Sequence, residues 1–292
     1  VQPQAATPRP APLDDYLASA EAVIRLSPDG AAPLERPPAG PLHVGVDLGT
    51  AYLVLVALDG DLRPLAGEYQ FAQVVRDGLV VDFIGAIDRL RAMKARLEER
   101  LGVALDHAAS GYPPGVPPVE VRATANVVEA AGFRCSGLVD EPTAANHVLN
   151  IHDGAIVDVG GGTTGIAVVK DGRVVYTADE PTGGTHFSLV IAGALDLSFE
   201  QAEELKVKPS EQARLYPLVR PVMEKVGSIV ARHVAGQGVQ QITLVGGAAA
   251  FPGMAAVIQE VTGIPTRSPA RPLFVTPWVL PWPMHRPATG RG

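Results

Sequence analysis

Two aspartate-led glycine turns, Asp47-Leu48-Gly49-Thr50 and Asp158-Val159-Gly160-Gly161-Gly162-Thr163-Thr164-Gly165, each interrupt an apolar run and each carry threonines behind the aspartate. A chain leaving a buried strand through glycines exposes backbone N–H groups that can approach phosphate oxygens, because no Cβ stands in the way. The leading aspartate has the opposite preference. Facing a polyphosphate, it is repelled unless a divalent cation with its water shell lies between them. The pair of turns therefore points to a hydrated Mg2+ nucleotide gripped from two sides. A third acid, Glu141, opens the stretch Glu141-Pro142-Thr143-Ala144-Ala145. If it meets Asp47 and Asp158, three like charges raise one another's pKa and call for a cation. Hydrolysis there would rest on an in-line water, with positioning and charge stabilisation supplying most of the rate.

Composition narrows the partners. The chain has 292 residues, is 47% hydrophobic, and carries 24 basic against 31 acidic residues for a formal charge of -7. That is enough apolar content for a large core, or two lobes. Lys and Arg are nowhere dense enough to follow a phosphate backbone, so nucleic acid is not an expected partner. The single cysteine, Cys135, excludes an internal disulfide and suits a reducing cytoplasm. No run approaches 18 apolar residues and no signal-peptide pattern opens the chain, so no membrane association is expected. The seven histidines form no zinc-type pair, and neither a P-loop nor a Gly-x-Ser-x-Gly elbow is present.

The elements that must position the turns follow from pattern and breakers. Prolines crowd residues 1–41, read as an extension with one short helix over Leu13–Ile24, capped by Asp14 or Asp15 and apolar at Leu13, Leu17 and Ile24. It is either a docking helix or an arm packed on its own body, since so short a helix is marginal alone. Strands are expected over 42–48, 51–58 and 62–69, then a helix from Asp82 to Leu101 with Phe83, Ile87, Leu90, Leu97 and Leu101 as its stripe and Gly102 as its stop. A helix from about Val119 to Ala131 leads toward Glu141, and Pro142 suits the first turn of the next helix. Then the opening pattern repeats. Strands flank the second glycine turn, and Asp171-Gly172 makes a hairpin. Helices follow over 185–195 and 198–206, the latter opened by a Ser198–Gln201 capping box. Across 210–235, Pro217 and Pro221 should break or kink the helix. A last strand ends at Gly246-Gly247. The repeat implies an internal duplication.

The ordered set of these two turns, Glu141-Pro142-Thr143-Ala144-Ala145, and Leu244-Val245-Gly246-Gly247 resembles the actin-like ATPase superfamily, including heat-shock chaperone ATPase domains. Within it, Val75-Arg76-Asp77-Gly78-Leu79-Val80-Val81-Asp82-Phe83, Tyr112-Pro113-Pro114-Gly115, Thr182-Gly183-Gly184-Thr185-His186 and Ala231-Arg232-His233-Val234-Ala235-Gly236-Gln237-Gly238 look like the EutJ ethanolamine-utilisation proteins, over roughly residues 42–277. The resemblance implies an α/β, two-lobed actin-like ATPase fold with a duplicated ribonuclease-H-like βββαβα core: lobe I over 42–153, lobe II over 154–275, and a divergent segment over 276–292. It implies ATP or ADP with Mg2+. By motif match, Asp47, Gly49 and Thr50 would face the β- and γ-phosphates from one lobe and Gly160, Gly161, Gly162 and Thr163 from the other. Asp47 and Asp158 would hold the metal through water, while Asp158 and Glu141 orient its water shell or the attacking water. Glu203, Lys206, Gly246 and Gly247 would contact the adenosine. The family is described as a chaperone, which implies an assembly or reactivation factor whose partner is a microcompartment enzyme or shell protein in the cytoplasm.

Two departures bear on rate. The chaperone ATPases carry a lysine near the γ-phosphate with no counterpart motif between Thr50 and Glu141, and an aspartate where this chain has Gly165. Losing one well-placed electrostatic contact costs about 100- to 1000-fold in rate, so slow hydrolysis, or binding without turnover, is expected. No second, peptide-binding domain follows within these residues, so a domain-coupled chaperone cycle is not expected. A non-enzymatic scaffold docking through residues 13–26, or a small-molecule kinase on the same fold, are the alternatives. At the end, Pro281 and Pro283 forbid a regular helix, which predicts a shortened crossover between lobes and weaker closure.

Overall fold

The computed structural model describes residues 12–26, 32–76 and 79–281. In chain order its elements are α1 (Leu13–Val23), β1 (Ile24–Leu26), β2 (His43–Leu48), β3 (Tyr52–Leu58), β4 (Pro64–Phe71), β5 (Val75–Arg76), β6 (Leu79–Val80), α2 (Phe83–Leu101), β7 (His107–Tyr112), α3 (Pro118–Ala130), β8 (Arg134–Asp140) and α4 (Glu141–Leu149). There follow β9 (Gly154–Val159), β10 (Thr164–Lys170), β11 (Arg173–Glu180), α5 (Gly184–Leu195), α6 (Phe199–Lys206), α7 (Pro209–Val234), β12 (Ile242–Val245), α8 (Met254–Thr262), β13 (Thr266–Arg267) and α9 (Val275–Val279).

Two sheets share one plan. The first is ordered β1-β4-β3-β2-β7-β8 and the second β11-β10-β9-β12-β13. In each, three successive strands form an antiparallel meander, and two more join in parallel beside the meander's first strand. Parallel neighbours need crossovers, which α2 and α3 supply in the first half and α5 to α8 in the second. With β1 set aside the two orders match strand for strand, as a duplicated core requires.

Each half has its own core, one packed on α2 and one on α7, and a third core joins them. The buried stripe of α2 is Ala86, Leu90, Met93, Leu97 and Leu101, held between the Asp82 cap and a left-handed Gly102. Phe83, expected in that stripe, is 41% exposed in the first turn. The prolines Pro217 and Pro221 do not break α7, which runs as one helix of 26 residues with both inside it. Both prolines are exposed while Leu215, Val219, Val222, Met223 and Val226 are buried. The carbonyls they deprive, those of Ala213 and Pro217, thus lie on the helix's watered side, and core packing outweighs the two lost hydrogen bonds. Replacing Pro217 with alanine restores one of them and is expected to stabilise the protein by about 1–3 kcal/mol. A urea midpoint that does not rise would contradict a continuous helix.

The N-terminal arm is packed on its own body. Tyr16, Leu17, Ala20 and Ile24 are buried in the joining core, and β1 adds a parallel edge strand to β4. Neither Asp14 nor Asp15 caps α1. The N-cap is Pro12, with no side-chain cap, and Asp14 instead accepts a hydrogen bond from the Ala270 N–H at 3.2 Å. Glu21 pairs with Arg271 beside it. The arm therefore bridges the first sheet and the chain's last described stretch.

That last stretch is also unlike the expectation. The helix α9 does end at Val279, but the segment is buried, not loosened: Trp278, Val279 and Leu280 are all inaccessible. Gly45, Gly67 and Gly111, on β2, β4 and β7, offer a floor without Cβ atoms. A Cβ at these positions would lie 2.6 Å from Pro281 Cδ, 3.0 Å from Trp278 Cζ2 and 3.0 Å from Leu280 Cδ2. The segment packs as a wedge fitted to a glycine trough; residues 282–292, including Pro283, lie outside the described residues.

Candidate functional site

Asp47 is the penultimate residue of β2 and Asp158 that of β9, so the duplicated topology sets them at matching places in the two sheets. Glu141 stands at the start of α4, where Asp140 caps the helix by accepting the Thr143 N–H at 3.0 Å and Pro142 occupies the first turn. These three ends open on one cavity of about 370 Å³ between the halves. Twelve of the thirteen predicted residues line it: Asp47, Gly49, Thr50, Glu141, Asp158, Gly160, Gly161, Thr163, Glu203, Lys206, Gly246 and Gly247. Gly162 does not; it backs the wall, packed against Thr50.

The glycines are there for contact. A Cβ at Gly161 would overlap Ala51, and one at Gly162 would overlap the Thr50 methyl, so the two turns touch across the cleft. Gly246 has φ +91°, and a Cβ there would overlap Asp158 Oδ1. The N–H groups of Gly49 and Gly160 close their own turns onto Tyr52 O and Thr163 O, both at 3.0 Å. An anion would therefore meet the N–H groups between those residues.

The charge is one-sided. Among the described residues, Asp47, Glu141, Asp158, Asp179 and Glu203 line the cavity against a single cation, Lys206. Lys206 is held by Glu203 at 2.7 Å, the Ser188 hydroxyl at 3.0 Å and the Gly184 carbonyl at 3.2 Å, with both members of the ion pair largely buried. Its ammonium protons are engaged by these three acceptors, and burial holds its pKa below the usual lysine value. The side chain of Arg76 lies outside the described residues.

Burial pushes Asp47 up to about 7, with Asp158 adding to it. It pushes Asp158 to about 6, against a hydrogen bond donated by the Thr276 hydroxyl at 3.1 Å. Glu141 is raised well above the carboxylate range, first by burial and then by Asp47, Asp158 and Asp179. Raised carboxyl pKa values mean the folded protein keeps protons that the unfolded chain has released. The stability they confer is complete below about pH 4 and is lost as pH rises through 6 to 7. Half-buried His43, whose pKa is lowered by burial, works in the opposite sense. Without divalent cation, Asp47→Asn should therefore lose less stability than wild type between pH 5 and pH 8, read from urea midpoints. An equal or steeper fall in the variant would contradict the cluster.

Thr276, Tyr52 and Asp179 are among the lining residues that escaped the sequence reading. Thr276 sits in the segment read as divergent, and Tyr52 brings a partly buried hydroxyl whose pKa rises to about 12 through burial and Glu203. Asp179 is placed by strand register, which residue types do not reveal. Among the described residues, no helix is long and apolar enough to cross a membrane.

Comparisons with known proteins agree with this architecture. The family described as "Type IV pilus assembly protein PilM" matches residues 141–273, and "MreB/Mbl protein" matches residues 66–202. The ethanolamine utilization protein EutJ of Salmonella typhimurium is 44% identical over 241 residues, 82% of this chain and 85% of that protein. The crystal structure of EutJ from Carboxydothermus hydrogenoformans superimposes with a TM-score of 0.84 at 42% identity, covering 92% of this chain and 97% of that one. MreB 5 of Spiroplasma citri, solved bound to AMPPNP, gives a TM-score of 0.63 at 18% identity, covering 84% and 94%, and speaks for the actin-like fold alone.

Proposed function

The chain belongs to the EutJ family of ethanolamine-utilisation proteins, and from that premise we propose that it holds a Mg2+ nucleotide, ATP or ADP, in the cleft between its halves and turns ATP over slowly. The observation that carries this reading is the convergence of Asp47, Glu141 and Asp158 on one cavity flanked by two glycine turns. Three carboxylates converging in a half-buried cleft are costly to ionise alone and become favourable as anions around a divalent cation. When bound, Mg2+ would neutralise phosphate charge. Asp47 and Asp158 would hold its waters, and Glu141 would orient the water shell or an attacking water. Gly49, Thr50, Gly160, Gly161 and Thr163 would present the two turns to the phosphates, with Gly162 packed behind them on Thr50, and Glu203, Lys206, Gly246 and Gly247 would form the nucleoside wall.

Slow turnover follows from the charge inventory. Among the described residues, Lys206 is the one lysine or arginine whose side chain lines the cavity, and its ammonium is engaged by Glu203, Ser188 and Gly184, so none of these described cations is free to stabilise charge developing on a transferred phosphoryl group. The output is then a conformation: affinity for a microcompartment enzyme or shell protein would differ between nucleotide states, the role of an assembly or reactivation factor in the cytoplasm. Such a switch requires ATP and ADP to favour different lobe arrangements. Single-turnover phosphate release tests the rate. Release within seconds of mixing would refute slow chemistry, and turnover that begins only when a small metabolite is added would make the protein a kinase.

A further inference from the structure

The β10–β11 hairpin slips by one residue between Val168 and Val169, and the slip decides what stands beside Asp158. From its turn pair, Lys170 opposite Arg173, an unbroken ladder would set Gly165 opposite Ala178. With the slip, Gly165 faces Asp179. On its other side Gly165 faces Asp158 of β9. Directly paired residues share a sheet face, so Asp158, Gly165 and Asp179 form one row across three strands, with no side chain at its centre. A Cβ at Gly165 would lie 3.8 Å from Asp158 Cβ and 3.8 Å from Asp179 Oδ1. The carboxylate of Asp179 thus leans over the gap toward Asp158. It also lines the cavity, and its charge acts on Glu141 across it.

We infer that Asp179 is a positioning residue of the nucleotide cleft: its carboxylate, delivered by the slipped register into the place left open at Gly165, accepts hydrogen bonds from water around the nucleotide's divalent cation. The inference rests on the nucleotide reading above. A residue acting through metal-bound water has a specific signature, since it matters only when the cation is present. Asp179→Asn keeps size and hydrogen bonding but removes the charge. It should weaken ATP binding in excess Mg2+ by about 10-fold, the worth of one charge-assisted hydrogen bond. With Mg2+ chelated, ATP binding should be unchanged or tighter, because one like charge has gone. Moving the carboxylate back to the centre of the row, with Gly165→Asp and Asp179→Gly together, should recover most of the Mg2+-dependent affinity.

The experiment is calorimetric titration of the full chain with ATP, in Mg2+ and in chelator, for wild type and both variants, with thermal melts to confirm folding. Wild-type binding that needs Mg2+, a loss in Asp179→Asn confined to the Mg2+ condition, and recovery in the swap would support the assignment. Equal Mg2+-dependent affinity in wild type and Asp179→Asn would overturn it while leaving the nucleotide reading intact. An equal loss with and without Mg2+, or a swap that restores nothing, would assign Asp179 to sheet structure instead. Wild type that binds no Mg2+ nucleotide would overturn the cleft reading itself, and this inference with it.

Discussion

Replacing Asp158 with asparagine is expected to reduce Mg2+-dependent nucleotide affinity by about 10- to 100-fold, the range seen when a group orienting a metal's ligands is removed. Turnover should fall by about 100- to 1000-fold. Asparagine retains an acceptor for the Thr276 hydroxyl, which reaches Asp158 Oδ2 at 3.1 Å, so the C-terminal wedge keeps that contact. Alanine removes charge and acceptor together, leaving the largely buried Thr276 hydroxyl without this partner at a cost of about 1–3 kcal/mol. The two variants therefore separate chemistry from structure. Both should lose Mg2+ nucleotide, and only Asp158→Ala should lose stability through Thr276. Each also removes one of several mutually repelling acids, so metal-free ATP binding should strengthen. A metal-free affinity that drops as far as the Mg2+-dependent one would place Asp158 outside the cation's neighbourhood.

Truncating Trp278 to alanine should cost about 3–5 kcal/mol, which is a large part of the stability of an ordinary domain. The indole is fully buried where the two halves meet, above Gly67 and among residues of both sheets and of α1. Its Nε1 has no hydrogen-bond partner among the described residues, so the ring is held there by packing, against the cost of an orphaned donor. Trp278→Phe removes that donor while keeping most of the apolar volume, and should cost less than half as much. Urea unfolding of the three proteins checks this. Equal losses for alanine and phenylalanine would show that the wedge does not depend on packed volume.

Much of the cavity lining was legible because the chemistry proposed for it calls for particular residue types at turn positions. Asp47, Gly49, Gly160, Gly161 and Asp158 are each a requirement of charge or close approach, and such requirements survive in a string of letters. Long-range packing does not. Phe83 fits a helical stripe by spacing, yet only tertiary placement decides that the stripe is buried from Ala86 onward. Pro217 and Pro221 break a helix considered alone. In the folded protein they share its solvent side, and burial of the opposite side holds α7 together. The prolines near the end read as disruption because the glycine trough that receives Pro281 is drawn from three strands distant in sequence. Asp179 was the least visible of all. Nothing about its type or neighbours announces a role, and only the bulge at Val168–Val169 turns it toward Asp158.

The account stands on the claim that the acidic cavity is completed by a divalent cation with a nucleotide. Calorimetric titration of the wild-type chain with ATP, first in excess Mg2+ and then in excess chelator, tests this directly. Saturable binding to one site per chain is predicted in Mg2+, with a loss of at least about 10-fold in affinity when the cation is removed, since Asp47, Glu141, Asp158 and Asp179 then face the phosphates with no metal between them. Binding that is absent in Mg2+, or equally strong with and without it, would contradict that claim.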